Sequence, residues 1–448
     1  MMGLSREACR ILTDRRDEGE WARRVVGVND ANRSGQGIAD IVRAILLFLL
    51  MYATATVFVK SAWALQSFQI GVFALVAVSL VAGGRRVRHY AAGWTSWVLY
   101  LVPIWGVFQL LAHTTVSTFE TREVLLRWSA LVGVFFLGQT CAQSRRAERV
   151  VLNTFLCWAV VIAVLCLAQL YTSDGRVLWI FSSGYYDVYG TFPSYNNYAQ
   201  LVELALPIAL WFGICDDKRR WWYRIAAGVL YGSAIGSASR AGAALCTAEL
   251  LVVLLIGWLA QRKRSAELGA RVSPSALVVI PVLAAVCTIV VGWHRVLNRF
   301  EVNDQYLVHR EYLASALEMA KDRPLTGYGL GTFPDVYPRY ALKVFPFYAN
   351  HAHNDWVEFV DEGGIPFLLL ILIPFATAIP IAARHPWGLG VVSVMLHACV
   401  DFPFARPSVS GWMFLLLALL YMARTRERWN SVCKEESAAH PVAASSAA

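Results

Sequence analysis

The chain has 448 residues, of which 57% are hydrophobic and 16% charged, with a mean hydropathy of +0.48. Soluble domains carry about a quarter charged residues, so this composition excludes a soluble globular domain and implies a polytopic membrane protein. The net charge of +9 is concentrated in loops and tails that flank apolar stretches. It therefore reports topology and contact with anionic lipid headgroups, and it excludes nucleic acid as the partner.

Residues 1–40 are polar and charged, so the first apolar segment is expected to be an anchor and not a cleavable signal peptide, with 1–40 a cytoplasmic tail. A hydrocarbon core of about 30 Å needs roughly 20 mostly apolar residues per helix. Twelve stretches of that kind are predicted, near 41–59, 64–82, 92–112, 124–140, 150–171, 198–214, 222–238, 242–260, 275–292, 356–382, 386–400 and 409–423. The domain plan is transmembrane helices 1–9 over 41–292, a large loop over 293–352, helices 10–12 over 353–423, and a disordered cytoplasmic tail over 424–448.

The loops differ in charge by side. With residue 1 in the cytoplasm, the short inner loops hold groups such as Arg85, Arg86 and Arg88, Arg145, Arg146 and Arg149, and Lys218, Arg219, Arg220 and Arg224. The short outer loops hold single cations: Lys60, Arg122, Arg176, Arg240 and Arg406. That bias fixes an orientation with both termini inside. Two loops on the outer side are long, near 172–197 and 293–352, and the chemistry is expected there. Of the nine cysteines, Cys157, Cys166, Cys246 and Cys287 fall mid-membrane and no CxxC occurs, which argues against a disulfide framework or a thiolate metal site.

Within the larger loop, Tyr306–Lys321 reads as a helix ended by Pro324. Its apolar arc is Tyr312, Leu313, Ala316, Leu317, Met319 and Ala320. Arg310 falls at the edge of that arc, where snorkelling to the interface and ligand binding are equally open readings. Next comes Gly327-Tyr328-Gly329-Leu330-Gly331. It resembles a phosphate loop, but no Lys-Ser/Thr follows, so the glycines are expected to let the backbone turn tightly.

The densest polar cluster is His351-Ala352-His353-Asn354-Asp355, followed by Glu358, Asp361 and Glu362 entering an apolar run. Ionisable groups in such a run are costly and usually functional, although Asn354 or Asp355 can also cap the helix. The His-x-His-x-Asp spacing resembles a metallohydrolase motif, but Trp356 stands where the next histidine would be, and no metal is expected. Ser239-Arg240 sits at the outer end of two helices, and Arg127 about one turn into its segment. Arginines without a metal suit a phosphate or diphosphate, and a histidine beside them suits proton transfer.

Four stretches resemble the O-antigen ligase/polymerase superfamily of bacterial membrane glycosyltransferases. They are Gly190-Thr191-Phe192-Pro193 through Asn196-Asn197 to Leu206-Pro207; Ser239-Arg240-Ala241-Gly242; Arg310 through Asp322-Arg323-Pro324 to Thr332-Phe333; and His353-Asn354-Asp355 with Glu362-Gly363-Gly364-Ile365-Pro366. His397 and Asp401-Phe402-Pro403 also fit, and the likeness spans roughly 190–410. Phe367 departs from the pattern, which usually has a small residue there, with consequences for packing.

The resemblance implies an all-α, GT-C-like membrane protein of about 12 transmembrane helices, with a long periplasmic loop between helices 9 and 10. It implies a metal-independent, inverting transferase in the bacterial inner membrane, with no cofactor and with its active site on the periplasmic face. The donor would be a glycan on undecaprenyl diphosphate, and the acceptor a hydroxyl of a glycan, of lipid A-core or of a protein. Carried over by motif, Arg240 and Arg310 would hold the diphosphate and His353 would deprotonate or orient the acceptor. Arg127, Asn354, Asp355, Glu362 and Asp401 would support substrate binding. The rival expectation from another class is a transporter or flippase for a lipid-linked or anionic solute. Against it stand the lack of a visible repeat and the gathering of motifs on one face.

Overall fold

The computed structural model describes residues 29–90, 94–182, 188–215, 219–263, 273–292, 294, 297–298, 307–343, 345 and 348–439. Lys218, which contributes to the charge bias between the loops, lies outside these residues. Fourteen helices are present among them. In chain order they are α1 (Asn29–Ala55), α2 (Ala62–Tyr90), α3 (Trp94–Leu111), α4 (Thr118–Cys141), α5 (Arg145–Thr172), α6 (Tyr195–Cys215) and α7 (Arg220–Gly236). They continue with α8 (Arg240–Lys263), α9 (Ala276–Val291), α10 (Leu307–Asp322), α11 (Phe333–Val336), α12 (Asp355–Arg384), α13 (Leu389–His397) and α14 (Pro407–Ala439). A two-residue antiparallel ladder pairs Arg176–Val177 with Phe181–Ser182 in the loop after α5.

The molecule is a polytopic, all-helical membrane protein, and among the described residues nine helices are long and apolar enough to cross a bilayer. All twelve apolar stretches are helical, but three are too short to count as spans by length: α7 with 17 residues, α9 with 16 and α13 with nine. A helix buried in protein can be as apolar as one facing lipid, so hydropathy alone does not separate the two. Helix α13 shows this, since it packs on α6 and α8. At the end of the chain, α14 continues past 423 to Ala439.

Helix α6 lies at the centre. Every residue from Asn197 to Ile214 is buried, and α6 packs on α5, α7, α8, α13 and α14. A helix that is apolar around its whole circumference, with only a few polar groups, is favoured in such a place. Those few polar groups, Gln200 and Glu203, point into the site described below.

Helix α12 is broken. Gly364 has φ 73° and ψ 176°, and Pro366 has no N–H to return to the Glu362 carbonyl. The freed carbonyls of Asp361 and Glu362 instead accept from Tyr328 N at 2.8 Å and Gly329 N at 2.9 Å, while Ile365 N donates to Pro324 O at 2.7 Å. The Gln109 side chain donates to both Thr326 O and Glu362 O at 2.7 Å. The glycine segment is thus the backbone partner of the kink. Gly327 and Gly329 lie at φ 64° and 113°, and a Cβ on either would strike Glu362 or Thr115.

The break lets the first two turns of α12 fold back. Ala398, just past α13, accepts from Asp355 N at 2.9 Å, so residues 386–398 return the chain from one end of α12 to the other. Those residues reach roughly 20 Å, whereas 365–384 alone extend about 30 Å. Phe404 accordingly touches both Phe359 and Phe375, with ring centroids at 5.3 Å in each case. Phe367 fills the angle between the two limbs, 5.6 Å from Phe359 and 5.4 Å from Trp128. The large residue that departs from the family pattern is therefore part of an aromatic floor.

Candidate active site

Three elements converge on His353: α10, the loop before α12, and the turn between α13 and α14. Helix α10 forms where expected and docks through Tyr312, Ala316 and Met319, which join Phe333, Val336, Tyr337, Ala349 and Ala352 in a second apolar core. The buried face is centred between the predicted residues, since Leu317 is exposed. Arg310 and Lys321 lie with it on the exposed side of α10.

His353 has φ 53°, in the left-handed region that a non-glycine residue rarely adopts. It precedes Asn354, the N-cap of α12, whose side chain accepts from Val357 N at 3.2 Å and donates to Cys399 O at 2.9 Å. The imidazole of His353 stacks on His309, with centroids at 4.2 Å, and meets the edge of Phe402 at 5.0 Å. Its Nδ1 lies 3.4 Å from Asp401 Oδ1, in contact but not aligned as a hydrogen bond.

Asp401 is buried and held from behind. Gln200 donates to its Oδ2 at 2.8 Å, and Asn197 donates to Gln200 Oε1 at 3.1 Å. Burial opposes its ionisation, but the neighbouring His353 and His397 and the bond from Gln200 outweigh that and hold the carboxyl below its ordinary value. One layer deeper, His397 Nδ1 and Glu203 Oε1 stand 2.7 Å apart with both side chains fully buried.

His309 is pushed down to about 4 by burial, then by the adjacent His353 and the Arg240 guanidinium, against the pull of Asp401. Arg240 opens α8 after Ala238, another left-handed residue at φ 60°. Ser239, beside it, donates to Asn196 Oδ1 at 2.8 Å. The fold thus gathers Arg240, His309, His353 and Asp401.

The other predicted residues are differently employed. Asp355 Oδ2 accepts from Phe404 N at 3.0 Å, and Glu362 Oε1 accepts from Phe333 N at 3.4 Å, so both carboxylates tie loops to α12. Arg127 is half-buried and donates to Ala405 O at 3.5 Å, with its Nε buried and unpartnered. It lines a separate cavity of about 370 Å³ between the α1–α2 hairpin and the 405–408 turn, with Asn197, Arg406, Ser408, Lys60 and Phe58. The Arg406 guanidinium lies 5.4 Å from the ring of Phe402, and Asn197 leads through Gln200 to Asp401, so the two regions adjoin. Among the described residues, no three His, Cys, Asp or Glu side chains are grouped to hold a metal ion.

Residues 225–372 match the family model described as O-antigen ligase. That stretch is similar to an O-antigen ligase domain. The matched stretch includes Arg240, His309, Arg310 and His353, whereas Gln200 and Asp401 lie outside it. No curated protein matches the chain. At the level of the family, the O-antigen ligase domain implies lipid-linked glycan substrates and a role in polysaccharide assembly.

Sequence reasoning did not single out His309, Gln200 or Glu203. His309 adjoins Arg310 on a helix already marked for function, and that adjacency is a usable signal. Gln200 and Glu203 are polar residues in an apolar run, a signal that was present and went unread.

Proposed function

We propose that the O-antigen ligase domain and its flanking helices form an inverting, metal-independent glycosyltransferase of GT-C-like architecture in the bacterial inner membrane. The donor is a glycan on undecaprenyl diphosphate, and the site opens on the periplasmic face, with both termini cytoplasmic. The observation that carries the reading is the contact of His353 with the buried carboxylate Asp401, near Arg240, with His353 and Arg240 both in the stretch that matches the O-antigen ligase family.

In this mechanism His353 accepts the proton of the acceptor hydroxyl as that oxygen attacks the anomeric carbon. The bond from that carbon to the diphosphate breaks, and Asp401 stabilises the imidazolium that forms. Arg240 and Arg310 hold the diphosphate and balance the charge that develops on the leaving oxygens. His309, held neutral by burial, adds no positive charge of its own and packs the ring of His353 in place. The cavity at Arg127 and Arg406 receives the acceptor's own anionic or polar groups, and its apolar wall suits a lipid-linked acceptor.

Within the family the reading leans to a polymerase of surface polysaccharide repeat units. Tyr195, Tyr340 and Tyr348 suit sugar faces, and nothing in the outer loops is dedicated to a protein acceptor. The test incubates purified protein with lipid-linked repeat units alone, in excess EDTA. A ladder of longer lipid-linked glycans supports a metal-independent polymerase. Transfer only after a lipid A-core acceptor is added establishes a ligase, and activity that needs added divalent ions overturns the metal-free chemistry.

A further inference from the structure

A second cavity lies apart from the one at Arg127 and Arg406. It has a volume of about 790 Å³ and is lined by Arg145, Arg149, Arg384, Arg426, Glu148 and Glu427, with Trp211, Phe212 and Trp387 among its apolar residues. The same helices that build the His353 region reach it with their other ends. Asp355 opens α12 beside His353 and Arg384 closes it; Gln200 lies near the start of α6 and Trp211 near its end. Along α14, Arg406 just precedes the start and Arg426 lies about five turns on. The cavity is therefore at the opposite end of the bundle, roughly 15–30 Å away along the helices.

Arginines at a membrane face ordinarily snorkel apart toward water. Here four guanidinia converge on one concavity. Two are fixed by the fold: Arg426 pairs with Glu148 and donates to Ala142 O, and the Arg149 guanidinium lies 3.5 Å from the Phe212 ring centroid. Arg145 and Arg384 also line the concavity and are exposed. His385 lines the rim 3.1 Å from Glu427, and burial holds it below its ordinary value, so it adds no cation near neutrality. Four arginines and two glutamates line the cavity, so its charged lining is predominantly cationic. Buried indole and phenyl rings give it an apolar floor: Trp387 is 3% exposed and Trp211 7%.

We infer that this cavity, at the end of the bundle opposite His353, is a binding site for a phosphate-bearing ligand. Guanidinium forks match phosphate oxygens in pairs, and a rim of arginines above aromatic rings suits a phosphate attached to an apolar or glycerol body. A phospholipid headgroup and a free phosphate or diphosphate share this chemistry. The inference does not depend on the transferase reading and is tested by binding.

The full-length protein is purified in neutral detergent and titrated with dioleoyl-phosphatidylglycerol or dioleoyl-phosphatidylcholine, and retained lipid is measured by native mass spectrometry. In parallel, inorganic pyrophosphate is added to lipid-free protein at constant ionic strength and thermal unfolding is followed. The variants are Arg384→Ala alone and Arg145→Ala with Arg384→Ala, which leave the Arg426–Glu148 and Arg149–Phe212 contacts in place. Arg262→Ala, which removes a cation stacked on Trp258, reports general surface attraction. Preferential retention of phosphatidylglycerol that falls roughly 10–30-fold in the double variant, but not in Arg262→Ala, supports a headgroup site. Protection by pyrophosphate that the double variant loses supports a soluble phosphate. Equal retention of both lipids together with no pyrophosphate effect overturns the inference, as does unchanged binding in both Arg384 variants.

Discussion

His353 and Asp401 meet at 3.4 Å although 48 residues and two helices separate them, and Asp401 is itself fixed by Gln200 from the central helix α6. A carboxylate behind an imidazole selects its orientation and stabilises its protonated form. His353→Ala is expected to lower turnover about 10²–10⁴-fold while donor affinity is retained. Asp401→Asn keeps the shape and loses the charge, so a smaller loss in the same direction is expected. Initial rates beside donor-binding isotherms check both, and wild-type turnover in well-inserted His353→Ala protein would rule out the base role.

Arg240 and Arg310 can be separated from the histidine chemistry by their substitution pattern. Lysine keeps the charge but not the planar fork. Arg240→Lys and Arg310→Lys are each expected to weaken use of a diphosphate donor by at least about tenfold, the equivalent of ~1.4 kcal/mol. Saturation curves in donor concentration provide the measurement. A loss confined to one of the two assigns the diphosphate to that arginine.

His309 makes stability depend on pH. Its folded value of about 4 lies below the ordinary 6.5, so between those limits the unfolded chain binds the extra proton. The contribution of the neutral stacked ring is complete above about 6.5 and is lost as pH falls toward 4. Thermal unfolding in detergent should therefore show a falling midpoint across that window. His309→Phe, which preserves a ring against His353, should flatten the fall, and an equal fall in the variant would show that other groups cause it.

The glycine segment that pairs with the α12 kink tolerates no side chain at its tightest point. Gly329 has φ 113°, and an added Cβ would overlap the Thr115 hydroxyl. Gly329→Ala is expected to cost at least about 2 kcal/mol, read as a lower unfolding midpoint and a lower yield of folded protein. Gly37→Ala, where a Cβ would meet nothing within 4 Å, should be close to neutral in the same assay.

The His397–Glu203 pair tests whether a buried contact below the site is structural. Removing one partner of a buried pair leaves an uncompensated group and costs about 3–5 kcal/mol, whereas replacing both by apolar residues can be nearly neutral. His397→Leu alone should therefore destabilise strongly, and adding Glu203→Leu should recover most of the loss. Additive losses in the double variant would show that the two residues act independently.

The sequence by itself determined the class and the helices. Long apolar runs dictate helices because the bilayer leaves no other partner for backbone groups, and all twelve stretches are helical. The helix over 307–322 was legible from its period, and the turning role of Gly327, Gly329 and Gly331 from their lack of Cβ. Hydropathy does not say which apolar helices face lipid and which face protein, and α7, α9 and α13 are shorter than the nine long apolar helices. Only the tertiary structure decided what each polar residue touches. Asp355 and Glu362 are drawn to backbone donors created by the kink at Gly364, whereas Asp401 is turned to His353 by Gln200. No local pattern encodes those partners, because each contact joins segments tens to hundreds of residues apart. A buried carboxylate takes whichever donor the fold brings within hydrogen-bonding distance.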